Sequence, residues 1–165
     1  MMERTSTQSR NAWCRDTPLT VWAKGLTNCR FAVTVTFGPG HRSAATCPSK
    51  QNIEEILRKA IKRMNTLCYG NGVQRKGYSI GVITAIEGTG QFERIHAHLA
   101  FEPEKDMSFT YFTRLVDRAF KRSKWITQRP DIKKCWNEDW INYTLKLGQE
   151  SLVPSCCFAA KHPGA

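Results

Sequence analysis

No stretch of this chain runs to 18 or more apolar residues, so no membrane-spanning helix is expected, and no basic helix with a Leu/Trp face points to a membrane surface. The first fifteen residues are polar and charged rather than apolar. They do not read as an export signal, and the protein is expected to be intracellular, cytoplasmic if its host is prokaryotic. There is no C-x-x-C pair, and the seven cysteines are odd in number with Cys156 and Cys157 adjacent, which argues against a disulfide framework and for reduced thiols. A zinc site from Cys156, Cys157 and His162 would lack the usual ligand spacing. The glycine-punctuated residues 69–77, YGNGVQRKG, fit neither the G-x-x-x-x-G-K-S/T nor the G-x-G-x-x-G pattern, so no nucleotide-phosphate cradle is expected there. Acidic groups are also scarce: 14 Asp and Glu stand against 25 Lys and Arg, a formal net charge of +11. A surface with that excess seeks polyanions, and nucleic acid is the expected partner.

What is present suffices for one compact domain. The 165 residues are 41% hydrophobic and 10% aromatic, enough to fold around one sizeable core. Residues 1–30 lack periodicity and read as a basic arm, with Arg4, Arg10, Arg15 and Lys24 able to touch phosphates. Residues 30–37, RFAVTVTF, alternate strictly, with Phe31, Val33, Val35 and Phe37 on one side and Ala32, Thr34 and Thr36 on the other, which predicts a strand. Pro48 and Ser49 open a helix whose Ile53, Ile56, Leu57, Ala60, Ile61, Met64 and Leu67 recur at helical spacing. A hairpin is predicted over residues 78–101. Ser108 then caps a helix with Phe109, Phe112, Leu115, Val116, Ala119 and Phe120 as its apolar stripe. A last strand is expected around residues 131–135, and a short helix capped by Asn137 carries Trp140, Ile141, Tyr143 and Lys146 before Gly148 closes it. Residues 31–150 thus form the domain and 151–165 a tail. The order of strand, helix, strand, strand, helix, strand, helix predicts an α+β fold: a ferredoxin-like antiparallel sheet with helices on one face and the C-terminal helix on the other.

Residues 87–101, EGTGQFERIHAHLAF, carry the chemistry. In a strand, His96 and His98 point to one face. If residues 78–87 pair with that strand in the register that sets Glu87 beside His96, the carboxylate joins both imidazoles. Two histidines in a strand are often only half-exposed polar residues; the glutamate favours a metal site, suited to Mn(II) or Mg(II), without choosing between them. Tyr143 and Lys146 are three residues apart on the last helix and reach a common phosphate. A phenol keeps its proton at neutral pH and is a poor nucleophile unless a cation and a polarised phosphate assist it. Tyr69, Tyr78 and Tyr111 are worse placed, in a loop, at a strand start remote from the histidines, and on a core-packing helix.

Three motifs, FAVTVTF at 31–37, IHAHLAF at 95–101 and NYTLK at 142–146, occur in the order found in HUH endonucleases, the rolling-circle replication initiators, relaxases and single-strand transposases, and the chain resembles that family over residues 31 to about 148. The spacing from Glu87 to His96 resembles that of small viral and plasmid initiators. The resemblance implies Glu87, His96 and His98 as ligands of Mn(II) or Mg(II), Tyr143 as the nucleophile that takes the 5′ phosphate, and Lys146 as its electrostatic helper. One tyrosine in the motif resembles the single-tyrosine branch. No Walker motif is present, so a helicase is expected as a separate partner unless this chain is a piece of a longer one. Single-stranded or hairpin DNA is the expected substrate, because in-line attack is hindered in a stacked duplex. Arg75, Lys76, Arg94, Lys121, Arg122, Lys133 and Lys134 are candidates for backbone contacts. The rivals are a transposase or relaxase using the same chemistry, and a non-catalytic ferredoxin-like nucleic-acid-binding module, which would need aromatics on the sheet face that here carries Thr34, Thr36, His96 and His98.

Overall fold

The computed structural model describes residues 18–25, 28–38, 48–88, 94–121, 123–135, 139–146 and 150–164. It is an α+β fold around a four-stranded antiparallel sheet. The alternating stretch forms β1 (Phe31–Thr36), and the hairpin contributes β2 (Gly81–Glu87) and β3 (His96–Glu102). The edge strand β4 is Asp131–Lys134. The sheet order is β2-β3-β1-β4, each neighbouring pair antiparallel.

One sheet face is buried under two long helices, α2 (Lys50–Tyr69) and α4 (Phe109–Phe120). Both start where the sequence signals a cap: Ser49 Oγ accepts from Asn52 N at 3.2 Å, and Ser108 Oγ from Tyr111 N at 3.1 Å. The apolar members of β1, Phe31, Val33 and Val35, and Phe37 just after it meet Ile53, Leu57, Ile61 and Met64 of α2 and Phe112, Leu115 and Val116 of α4 in a single core. Arg63 of α2 donates to Ala119 O at 2.7 Å and so satisfies a carbonyl in the last turn of α4. Buried Asn65 accepts from Ile80 N at 2.9 Å, which fixes the entry of β2 against α2.

A smaller cluster lies on the other face. Ile83 of β2 and Ala100 of β3 pack there with Ile141, Leu145, Leu152 and Cys157, and with Ala23. Ile141 belongs to α5 (Asp139–Thr144), the predicted last helix, which therefore crosses the face opposite the long helices. Asn137 and Gly148, its expected cap and stop, lie outside the described residues.

Three segments differ from the sequence expectation. Within residues 1–30, read as an aperiodic arm docking partly on the domain, Pro18–Lys24 form a helix, α1, whose Ala23 is buried in the second cluster. Residues 69–77, read as a loop, contain the short helix α3 (Gly72–Lys76). Residues 151–164, the described part of the stretch 151–165 read as a tail beyond the domain, run along the free edge of β2. Ile86 N donates to Ser151 O at 2.8 Å, Val153 N to Thr84 O at 2.9 Å, and Val82 and Phe158 exchange both their backbone bonds. The edge groups of β2 need partners. Pro154 and a 3₁₀ turn over Pro154–Cys156 break any alternation that would have marked the segment as a strand.

Candidate metal centre

Two paired strands bring the predicted ligands together. The register of β2 on β3 pairs Glu87 with His96 and Ala85 with His98, so Glu87, His96 and His98 share the face that α5 crosses. One ligand atom from each lies within 4.8 Å of the others, and this group could hold a metal ion. Gly88 makes the turn after Glu87 possible: its φ is +76°, and a Cβ there would stand 2.3 Å from Arg94 O. That close approach also aims the Arg94 carbonyl, which accepts from His96 Nδ1 at 2.9 Å.

This hydrogen bond fixes the chemistry of His96. A carbonyl only accepts, so the proton of the neutral ring is on Nδ1 and Nε2 presents a lone pair. Nε2 points at Glu87 Oε2, 3.4 Å away, and His98 Nε2 stands 3.5 Å from the same oxygen. His98 Nδ1 meets Thr34 Oγ1 at 3.1 Å, and its Nε2 is buried with no hydrogen-bond partner, as is Glu87 Oε1. Glu87 Oε2 also meets the Lys146 ammonium at 3.0 Å, so the atoms left for a further cation to satisfy are Glu87 Oε1 and His98 Nε2. Two imidazole nitrogens and a carboxylate oxygen so arranged fit a divalent ion with open positions.

The protein keeps His98 in the form a metal needs. Burial pushes its pKa down to about 4, outweighing the pull of Glu87 in the other direction. An imidazole near 6.5 in the unfolded chain and about 4 when folded binds more protons unfolded throughout that interval. Stability is therefore fully present above pH 6.5 and falls as pH drops toward 4. Melting temperatures measured across this range should decline, and His98→Gln should flatten the decline; an equal slope in the variant would assign it to other groups.

Lys146 and Tyr143 adjoin the ligands. Lys146 Nζ lies 3.0 Å from Glu87 Oε2 and 4.0 Å from the centre of the Tyr143 ring. Burial opposes its charge, but hydrogen bonds to Glu87 and Tyr143 outweigh this and hold its pKa above the usual lysine value. Tyr143 is 42% exposed, its ring edge-on to His98 at 5.1 Å and stacked on Trp140 at 5.0 Å. The other three tyrosines are elsewhere. Tyr69 bonds His162 at 2.9 Å and is held well above the usual phenol value by burial, Tyr78 packs over Gly72, and Tyr111 is on α4.

The six basic candidates among the described residues do not line one surface. Lys133 pairs with Ala32 in the β1–β4 register and so lies on the histidine face, ion-paired to Asp131 at 2.9 Å. Lys134 is on the helix face, over the Phe109 ring at 5.5 Å. Arg94 precedes His96 by two residues and is exposed, Arg75 and Lys76 end α3 near the opposite end of β2 from Glu87, and Lys121 follows α4. Arg122 lies outside the described residues. Cys156, Cys157 and His162 do not converge: Cys157 Sγ bonds Val153 O at 3.2 Å, Cys156 Sγ bonds Glu54 O at 3.4 Å, and His162 bonds Tyr69.

Sequence reasoning put Thr34 on this face but missed that it orients His98; the signal was its shared parity with the strand position opposite the histidine. It also missed Trp140, which stands 5.8 Å from His98 and supports the Tyr143 ring. No helix among the described residues is long and apolar enough to cross a membrane. No protein-family model, no curated protein and no solved structure matches this chain.

Proposed function

We propose that this protein is a metal-dependent, tyrosine-linked single-strand DNA endonuclease and ligase of the HUH type that initiates rolling-circle replication. One observation carries the reading: of the four tyrosines, Tyr143 is the one whose ring contacts a histidine of the Glu87, His96, His98 group, with the Lys146 ammonium bridging the phenol ring and the carboxylate. The strand order β2-β3-β1-β4, with α2 and α4 on one face, is that of a ferredoxin-like split βαβ sheet and supports the same assignment. The net charge of +11 favours a polyanionic substrate.

Glu87, His96 and His98 would hold Mn(II) or Mg(II), which when bound draws charge from the non-bridging oxygens of a phosphate. Tyr143 Oη attacks phosphorus, a Tyr–O–P bond forms and the bond from phosphorus to the 3′ oxygen breaks. The phenolic proton is given up, and the departing oxygen is protonated to a free 3′ hydroxyl. Lys146 favours the phenolate and offsets negative charge that develops on the phosphoryl group. The phosphotyrosine ester keeps the energy of the phosphodiester, so attack by a 3′ hydroxyl reverses the step and rejoins the strand. Trp140 holds the ring by stacking.

The test incubates the protein with single-stranded, origin-like hairpin oligonucleotides and Mn(II), then seeks a protein–DNA adduct by gel and maps it by mass spectrometry. An adduct on Tyr143 that chelator prevents is expected. Binding that ignores chelator and never becomes covalent would leave a basic nucleic-acid-binding module. Cleavage at paired element ends instead of an origin hairpin would reassign the same chemistry to a transposase, and cleavage at a plasmid transfer origin to a relaxase.

A further inference from the structure

Cys29 lies two residues before β1 and Cys135 directly follows β4, so pairing of those strands brings together two cysteines 106 positions apart. Their Sγ atoms are 2.6 Å apart, closer than sulfurs that merely touch and roughly 0.6 Å beyond the ~2.05 Å of an S–S bond. Backbone pairing imposes the approach. Cys135 N donates to Arg30 O at 2.8 Å, Arg30 N donates to Phe101 O at 2.8 Å, and Phe31 pairs with Lys134. Both cysteines are half-buried, in contrast to Cys156 and Cys157, which are buried.

The two sulfurs differ in surroundings. A cavity of about 240 Å³, lined by Arg30, Phe31, Phe109, Lys134 and Cys135, gives small polar molecules a way to Cys135. The Arg30 guanidinium lies over Phe31 and the Lys134 ammonium over Phe109 in this same corner. Cys29 faces inward and packs against the cluster beneath α5. Its thiol donates to Cys135, which lowers the Cys135 pKa, while the same contact together with burial raises that of Cys29.

We propose that Cys29 and Cys135 are a redox-modification site that a peroxide converts to a reversible disulfide. The Cys135 thiolate attacks one peroxide oxygen, the O–O bond breaks, and the second oxygen leaves as hydroxide, which takes up a proton to become water. Cys135 is now a sulfenic acid. The Cys29 sulfur attacks it, the S–S bond forms, and the sulfenic oxygen departs with the Cys29 proton as a second water. In sum, two thiols and one peroxide give one disulfide and two waters. In a reducing compartment such a bond is transient, and thiol exchange returns it to the dithiol. The bond joins the approach to β1 with the exit from β4, four residues before α5 begins at Asp139.

The full chain, reduced and then freed of reductant, is treated with one equivalent of hydrogen peroxide, quenched with N-ethylmaleimide and mapped by mass spectrometry. Expected are loss of maleimide labelling at both Cys29 and Cys135, a linked peptide pair lighter by two hydrogens, and full recovery after dithiothreitol. Cys29→Ser should leave a Cys135 sulfenic acid that dimedone captures. Undiminished labelling of both thiols, or a linked peptide joining either to another cysteine, overturns the proposal. Neither DNA nor metal enters the readout, so its failure leaves the nuclease reading untouched.

Discussion

Tyr143→Phe should eliminate the covalent protein–DNA product and lower strand cleavage by at least ~10⁴-fold, the scale on which enzymes lose rate when a covalent nucleophile is removed. Metal binding should not change. The substitution removes one hydroxyl and keeps the ring, so stacking on Trp140 at 5.0 Å, the edge contact with His98 at 5.1 Å and the Lys146 ammonium over the ring all persist. A fold defect is therefore not expected, and a melting temperature equal to wild type checks this. Tyr111→Phe on α4 is the matched control and should cleave normally. An adduct that survives in the Tyr143 variant would move the nucleophile elsewhere and remove the role given to α5.

Glu87→Gln should weaken Mn(II) binding by well over the roughly 10–100-fold that loss of a ligand's supporting partner costs, because it removes the only formal negative charge among the three ligands. The metal-free variant should nonetheless fold at least as well as wild type. In the native site Oε2 and the Nε2 atoms of His96 and His98 face one another at 3.4 and 3.5 Å. A glutamine amide can turn an N–H toward one imidazole and so keep that contact in neutral form. Lys146 loses its carboxylate, but at 32% side-chain exposure it can turn to water. Thermal melts separate the two effects: Mn(II) should raise the wild-type melting temperature, by linkage to the folded state, and leave the variant unmoved. A variant stabilised by Mn(II) to the same extent as wild type would show that the carboxylate is no ligand.

The parts of the fold that the sequence revealed are those in which side chains repeat. Strict alternation marked β1, apolar stripes behind Ser49 and Ser108 marked α2 and α4, and the spacing of Glu87 from His96 anticipated the register in which they pair. What escaped was held together by backbone or by distance. The segment 150–164 reaches β2 through main-chain hydrogen bonds that leave no side-chain period, and α1 is too short to display one. The thiol of Cys29 meets that of Cys135 only because β1 and β4 are neighbours, which no local pattern encodes. Charge carries no such direction. Lys133 and Lys134 are both candidates for backbone contacts, yet neighbours in a strand face opposite sides, and Lys134 is on the helix side.

An open sheet has two lateral borders where unpaired peptide groups invite another chain to add itself. Here one border is covered by the returning segment 150–164, while the other is a four-residue strand bearing Asp131, Lys133 and Lys134. Length and charge of that kind deter strand addition. Molecules crowded side by side on a polyanion would thus meet through surfaces with little capacity to fuse into a shared sheet, and a protein of net charge +11 could be concentrated on the proposed substrate without aggregating there.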